Sequence, residues 1–476
     1  MDDAREEDQH KSNAFSALVN ILKTFAGAGT FALPWAMKQA GIVTGIIGII
    51  LVAIMSDYTM QLLVKARRYI QREGEFNNED NDYWKYRKIR QPLETLDNMT
   101  ANEVVVYPTR RHPDEKAPQS QTSIYKDPND YIYDRKHTIT YVDLAYEAMG
   151  TTGSVLTYVL LSTCNLGVCT VYLVFIAKLL SSMVTELDMR IWMLLVMPVL
   201  IPLSWIRTYK FMAPISFFGF LSLFVSLLSV IVYGFVERSH NMRWPWEFGS
   251  HSYINLSTLP LFFGIALFLF NTHTMVLPIE QSMKNRRWYG ITLSLGFAII
   301  VIMNLAFGIL CLSFFGTGVS DDVTKDLPDK SAWVITIKSL LCAELILTYG
   351  VVLMPISELV IDQKVLKYVN KARWSGWFFT FCGSGLRTGL VFITLIIAEI
   401  FGSRFALVMS FIGGVSPNAL GFIMPSLIYL ILMRRKYGYL TFITNCFIIV
   451  IGFGGMAWNT YEVVNQLIDS IHSGKF

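Results

Sequence analysis

The chain has 476 residues, 53% of them hydrophobic and only 16% charged, with a mean hydropathy of +0.43 and a net charge of +4. Soluble domains carry about 25% charged residues, so this composition excludes a soluble enzyme and points to a polytopic membrane protein. The small positive excess reads as cytoplasmic anchoring residues, not as a nucleic-acid surface. All six cysteines fall inside apolar segments, none at metal-ligand spacing and none in a loop where an oxidising compartment would pair it. Neither a metal nor a cofactor is expected.

Residues 1–12 form a polar cytoplasmic tail without a cleavable signal, so the first span is expected to serve as the insertion signal. Apolar segments follow at 13–40, 42–64, 154–183, 191–206, 211–236, 257–279, 289–316, 333–359, 376–401, 404–432 and 438–467, which makes eleven spans. Asp57 stands near the end of the second and is expected to reach the interface there. Residues 65–139 are rich in Asp, Asn, Tyr, Pro, Lys and Arg without helical periodicity, and read as a mostly disordered loop. Thr140 and Asp143 then form a capping-box pattern that opens a short interfacial helix, closed by Gly150, over 140–150.

Orientation follows the basic residues. Arg207 and Lys210; Lys284, Arg286 and Arg287; Lys364, Lys367, Lys371 and Arg373; and Arg434, Arg435 and Lys436 fall in alternate short loops. This puts the N-terminus and the 65–139 loop inside, and the 468–476 tail on the non-cytoplasmic side. Asn255 heads a glycosylation sequon on the outer side, close against a span, whereas the sequon at Asn98 lies inside. Tyr86-Arg87-Lys88-Ile89 has the shape of a tyrosine-based sorting signal, a pattern common by chance.

The first span carries Ala26-Gly27-Ala28-Gly29-Thr30 at its centre and Pro34 just beyond. Glycine costs roughly 1 kcal/mol against alanine inside a helix and proline about 3, so this run predicts a helix that breaks at mid-membrane depth. A break frees backbone groups and is tolerable where it lines a cavity; the alternative is a kinked helix packing its small residues on a neighbour. The sixth span has a matching feature: Asn271-Thr272-His273-Thr274 interrupts its apolar run, and Pro278 follows as Pro34 follows Thr30. If spans one to five form one repeat, span six is the counterpart of span one in a second, inverted repeat. Paired breaks of this kind mark a transporter's substrate site.

The half-helix beginning near Gly29 or Thr30 would present unpaired N–H groups and a positive dipole end to a carboxylate, and the glycines would let a ligand come close. Freed carbonyls near Phe268 to Asn271 would suit an ammonium group or a cation. A zwitterionic amino acid fits both. The expected site is therefore Ala26, Gly27, Ala28, Gly29, Thr30, Phe268, Phe270, Asn271 and Thr272, with Tyr172 and Tyr349 as candidate walls. His273, in the polar break, and Glu344, in the eighth span, are candidate proton carriers, because ionisable groups inside a membrane are functional by default. A neutral His273 bonded to a freed carbonyl, and Glu344 paired with Lys178, are the structural alternatives. Glu399 and Lys23 read as snorkelling or pairing residues.

Three motifs carry a family likeness: Asn20-Ile21-Leu22-Lys23 through Gly27-Ala28-Gly29-Thr30, Leu33-Pro34-Trp35-Ala36 and Gln39-Ala40-Gly41; Thr163 to Phe175; and Phe263-Gly264, Phe270 and Val276 to Lys284. On these, in this order, the sequence resembles the amino acid/auxin permease family, nearest its proton-coupled amino acid transporter branch. The likeness covers the spans and leaves out 65–139. It implies an all-α polytopic membrane protein of about eleven transmembrane helices, in the LeuT-type 5+5 inverted repeat with helices 1 and 6 broken. Spans at 13–64 and 154–236 would form the first repeat, 257–432 the second, and 438–467 the last helix. It further implies transport of small neutral amino acids (alanine, glycine, proline) with a proton, across the plasma membrane or a lysosomal or endosomal membrane. Asn20 stands where the branch has a proton-coupling histidine, and Asn271 where it typically has glutamate followed by Gly-Ile-Gly. The branch's luminal cysteine pair is absent. Asparagine carries no proton at physiological pH, so an uncoupled or sodium-coupled transporter, and an amino acid sensor signalling through 65–139, stand beside proton symport. A membrane enzyme is excluded by the lack of any nucleophile–base pair, metal set or phosphate loop.

Overall fold

The structure, a computed structural model, describes residues 14–25, 27–76, 139–184, 187–205, 212–238, 242, 244, 254–328, 331–356, 376–402, 404–434 and 436–472. The chain divides into a large unit, 1–66 with 140–476, and a small one, 67–139. The regular elements of the described residues are all helical: α1 (Ala14–Phe25), α2 (Gly29–Ala40), α3 (Ile42–Phe76), α4 (Tyr141–Met183), α5 (Met189–Ser204), α6 (Met212–Glu237), α7 (Leu259–Leu269), α8 (His273–Ser282), α9 (Tyr289–Phe315), α10 (Ala332–Ile356), α11 (Gly376–Phe401), α12 (Phe405–Asn418), α13 (Met424–Leu432) and α14 (Tyr439–His472). Among the described residues, eight helical stretches are long and apolar enough to cross a membrane, and Met189–Ser204 and Leu221–Glu237 are shorter apolar helices. The protein is a polytopic helical membrane protein.

Local chemistry explains the helix limits. Thr140 and Asp143 close a full capping box: the Asp143 N–H donates to the Thr140 hydroxyl at 3.3 Å, and the Thr140 N–H donates to the Asp143 carboxylate at 2.8 Å. Gly150 then turns the chain at φ 67°, so α4 is an interfacial turn followed by a span. Two boundaries move. Helix α3 continues to Phe76, taking residues 65–76 out of the expected loop, and Asp57 consequently sits well inside a long helix rather than at its end. Helix α14 extends to His472, into the expected tail. Residues 77–138, and with them the Tyr86 motif and Asn98, lie outside the described residues.

The first and sixth spans are both divided. Span one is α1 and α2, separated at 26–28; span six is α7 and α8, separated at 270–272. Helix α2 packs on α7, and α7 packs most extensively on α12. That last seam is made of bare backbone: a Cβ on Gly413 would stand 2.0 Å from the Gly264 carbonyl oxygen, and one on Gly264 2.1 Å from the Ser410 carbonyl oxygen. Asn459 of α14 stitches the same seam, donating to the Pro260 carbonyl and the Ser410 hydroxyl, each at 2.7 Å. The tenth span carries a π-helical turn, Ala419–Ile423, between α12 and α13. Such turns are rare and concentrate at functional sites.

Candidate functional site

The break in the first span leaves specific donors open. The Thr30 N–H donates to the Gly27 carbonyl and the Phe31 N–H to the Ala28 carbonyl, each at 3.2 Å. Among the described residues the N–H groups of Ala28 and Gly29 have no acceptor, and they stand at the positive end of α2. In the sixth span the turn consumes carbonyls that were expected to be free: Phe268 accepts from the Asn271 N–H at 3.3 Å, and Phe270 from the Thr272 N–H at 2.9 Å. The open acceptors there are Leu267, Leu269 and Asn271: the Asn271 and Met275 N–H groups that a continuous helix would aim at Leu267 and Asn271 bond elsewhere, and among the described residues the His273 N–H makes no bond to Leu269.

The two breaks meet. A Cβ on Gly29 would lie 3.3 Å from Phe268 Cδ1 and 3.4 Å from Leu269 Cα. Ala28, Thr30, Phe268 and Thr272 are buried, and Gly27 is half-buried. Ala26 lies outside the described residues. Asn271 donates through Nδ2 to the Cys164 thiol of α4 at 3.0 Å, and its buried Oδ1 has no partner. Phe270 turns toward α9 and stacks on Phe297 at 5.8 Å. Tyr172 is half-buried against the core. The Tyr349 hydroxyl shares a 2.7 Å hydrogen bond with Thr394 of α11. Asn255 accepts from the Ser257 hydroxyl at 2.7 Å, and its N–H donates to the Ala40 carbonyl at 2.9 Å.

The site is packed shut on the α2 side. Phe31 of α2 packs on Phe175 of α4 at 5.7 Å and on Phe307 of α9 at 6.4 Å, and Phe175 stacks on Phe405 of α12 at 4.6 Å. On the α1 side a small gap of about 10 Å³, room for about one water, touches Thr272 between Ile21 of α1, Met275 and Ile279 of α8, and Leu293 of α9.

The two candidate proton carriers are both buried but differ in setting. His273 Nε2 lies 3.0 Å from the Thr59 hydroxyl of α3. Its ring faces the π turn, where a Cβ on Gly421 would come within 2.9 Å of His273 Cε1, and Nδ1 has no partner. Glu344 is 8% exposed; Oε1 accepts from the Thr348 hydroxyl at 2.8 Å, and Oε2 has no partner. It backs onto Gly219 of α6, where a Cβ would sit 2.9 Å from Oε1. Lys178 pairs with Asp321, not with Glu344, because its side chain reaches along α4 to the α9–α10 segment. Glu399 pairs with Arg190 at 3.8 Å near the membrane edge. The Lys23 side chain lies outside the described residues.

Asp57, expected at the interface, is a further candidate. Its Oδ2 accepts from Ser294 of α9 at 2.8 Å and from Gln61 at 3.2 Å, and its buried Oδ1 has no partner. The available signal was a carboxylate flanked on both sides by helical sequence, hidden once the span was ended too early. Cys164 was likewise visible only as part of a motif.

Comparison with known proteins adds to this geometry. The chain is 24% identical over 468 residues to amino acid transporter ANT1 of Arabidopsis thaliana, covering 95% of this chain and 93% of that one. It is 23% identical over 464 residues to amino acid transporter AVT3C of the same plant, covering 93% and 88%. A Caenorhabditis elegans vesicular GABA transporter is 25% identical over 283 residues, covering 57% and 55%. Residues 10–86 and 121–465 match the family described as transmembrane amino acid transporter protein, and the chain belongs to that family.

Proposed function

We propose that the chain moves small neutral amino acids such as alanine, glycine and proline by alternating access, in symport with a proton, in the plasma membrane or in a lysosomal or endosomal membrane. The observation that supports this most is the meeting of the two breaks: open donors at Ala28 and Gly29 face a turn with open carbonyls at Leu267, Leu269 and Asn271. A carboxylate on the donor side and an ammonium on the acceptor side define an α-amino acid. A wall this tight favours small side chains. The vesicular GABA transporter among the relatives supports an intracellular membrane and a substrate without net charge.

For the proton, Glu344 is the stronger of the two candidates. A carboxyl buried in a helix seam with one oxygen unpartnered is costly when ionised, and it can exchange its proton when α6 and α10 move apart. His273, held by Thr59 and covered by Gly421, is better placed to tie α8 to the π turn. Uncoupled transport is the second reading, favoured by Asn271, an amide at the centre of the break. Purified protein in liposomes, given labelled alanine, glycine or proline with and without an inward proton gradient, separates them. Accumulation above the external concentration supports symport, equilibration alone supports a facilitator, and a sodium gradient tests sodium coupling. Binding without flux would refute transport and favour a sensor.

A further inference from the structure

Away from the breaks, the segment between α9 and α10 gathers carboxylates under cover. It leaves α9 at Gly316, whose φ of 62° permits the turn, and makes short 3-10 turns at Gly316–Gly318 and Val323–Asp326. Val319, Val323 and Leu327 are buried, and the second turn rests on α2 and α4. Lys38 of α2 donates to the Val319 carbonyl at 3.4 Å. Lys178 of α4, itself buried, pairs with Asp321 and lies 5.7 Å over the Phe405 ring.

Lys178 pairs with one of three acids. Asp322 is 1% exposed and accepts from the Thr324 N–H at 2.9 Å and the Thr324 hydroxyl at 2.7 Å. Asp326 accepts from the Ser320 N–H at 3.0 Å and the Ser320 hydroxyl at 2.6 Å. Burial holds both carboxyls above the ordinary carboxylate range, outweighing these bonds and the attraction of Lys178, and Asp321 pushes both further. The other titratable groups here are Lys338 and Cys342 of α10, Cys311 of α9, Lys38, and exposed Lys325 within the segment. Lys338 donates to Ser182 of α4 at 3.0 Å. Asp329 and Lys330 lie outside the described residues.

We propose that residues 319–327 form an outer lid, fastened over α2 and α4 by Lys178 and Asp321, whose shutting covers the Asp322 and Asp326 carboxyls and so responds to acid. A carboxyl that holds its proton more tightly in the shut state makes acid favour shutting, and rising pH favours opening. The charge asymmetry of the loops assigns this face to the non-cytoplasmic side, so these protons come from outside or from a lumen. The lid rests on the transport reading only in being called a gate.

Hydrogen exchange of the purified full-length protein tests it without substrate. Labelling at about pH 5 and about pH 7.5, corrected for intrinsic rates, is expected to show roughly tenfold greater protection of 319–327 in acid. The Asp322→Asn/Asp326→Asn variant is expected to show equal protection at both pH values. Lys178→Met is expected to loosen the lid at the higher pH, with recovery in Lys178→Met/Asp321→Asn. Should the double asparagine variant fail to fold, Asp326→Asn alone is expected to reduce the pH response. Equal protection of the wild type at both pH values, or greater protection at the higher, overturns the proposal. A lid that follows pH in protein that moves no amino acid sustains the lid and sinks the transport reading; uptake with a pH-blind lid sinks the lid alone.

Discussion

Glu344→Gln is the substitution that bears most directly on proton coupling. Glutamine matches glutamate in shape, and its carbonyl oxygen keeps the 2.8 Å bond from Thr348. The amide places an N–H₂ group where Oε2 now has no partner, so one unsatisfied acceptor is exchanged for one unsatisfied donor. That exchange costs about 1 kcal/mol or less, since an unmade bond of this kind is worth roughly 1–3 kcal/mol in either form. The fold is expected to survive and the titration to disappear. A gradient of one pH unit corresponds to about 1.4 kcal/mol, or roughly tenfold accumulation for one proton per amino acid. With two units imposed on proteoliposomes, the wild type is expected to concentrate labelled alanine by up to about a hundredfold and Glu344→Gln to stop at equality while still exchanging alanine. Gly219→Ala is an independent probe: its Cβ would stand 2.9 Å from Oε1 and 3.0 Å from Cγ, displacing the carboxyl without altering charge. Overpacking of this kind costs about 1–3 kcal/mol, and coupling is expected to weaken with it. If Glu344→Gln accumulates alanine to the wild-type ratio, Glu344 does not carry the proton and the reasoning fails.

Gly29→Ala places a methyl 3.3 Å from Phe268 Cδ1 and beside an open N–H, so KM is expected to rise about tenfold or more, the loss of a charge-assisted hydrogen bond worth about 1.5–3 kcal/mol, with melting temperature little changed. Gly413→Ala drives a Cβ to 2.0 Å from a backbone oxygen, and no monodisperse protein is expected on size-exclusion chromatography. Cys164→Ser keeps a polar partner for the Asn271 amide and Cys164→Val removes it; uptake kinetics are expected to show KM raised in the valine variant only. His273→Gln keeps a donor for Thr59, and proton-driven accumulation is expected to persist, which a direct comparison with Glu344→Gln decides.

The fold was legible because membrane physics leaves few choices. Length and hydropathy mark the spans, and a glycine–threonine run or four polar residues at mid-depth have few uses except a break. The capping box at Thr140 and the turn at Gly150 were readable for the same local reason, since both depend on residues within four positions. What stayed hidden depends on contacts across the bundle. Lys178 and Glu344 lie in facing spans, yet Lys178 takes Asp321, because partner choice follows the depth each side chain reaches. Asp57 looked like an interfacial residue until α3 was seen to continue through Lys65 and Arg67 to Phe76, where charge had been read as the end of the helix. The carbonyls of Phe268 and Phe270 looked free because unwinding was expected to release them, whereas the turn re-engages both and opens their neighbours.

Aromatic contacts across the bundle also seal the site. Phe31, Phe175, Phe307 and Phe405 close the site on the side where Lys178 meets Asp321. Phe405 takes part in both closures, stacking on Phe175 below and lying under Lys178 above. Loosening the lid therefore removes a cation from the face of a ring that helps seal the substrate path. Phe31, Phe175 and Phe405 form one continuous aromatic chain from α2 to α12, so the outer segment and the α2 half-helix rest on the same rings. Proton uptake at the lid and substrate capture at the breaks would then share one moving part, even though the residues that titrate and the residues that bind lie on different elements.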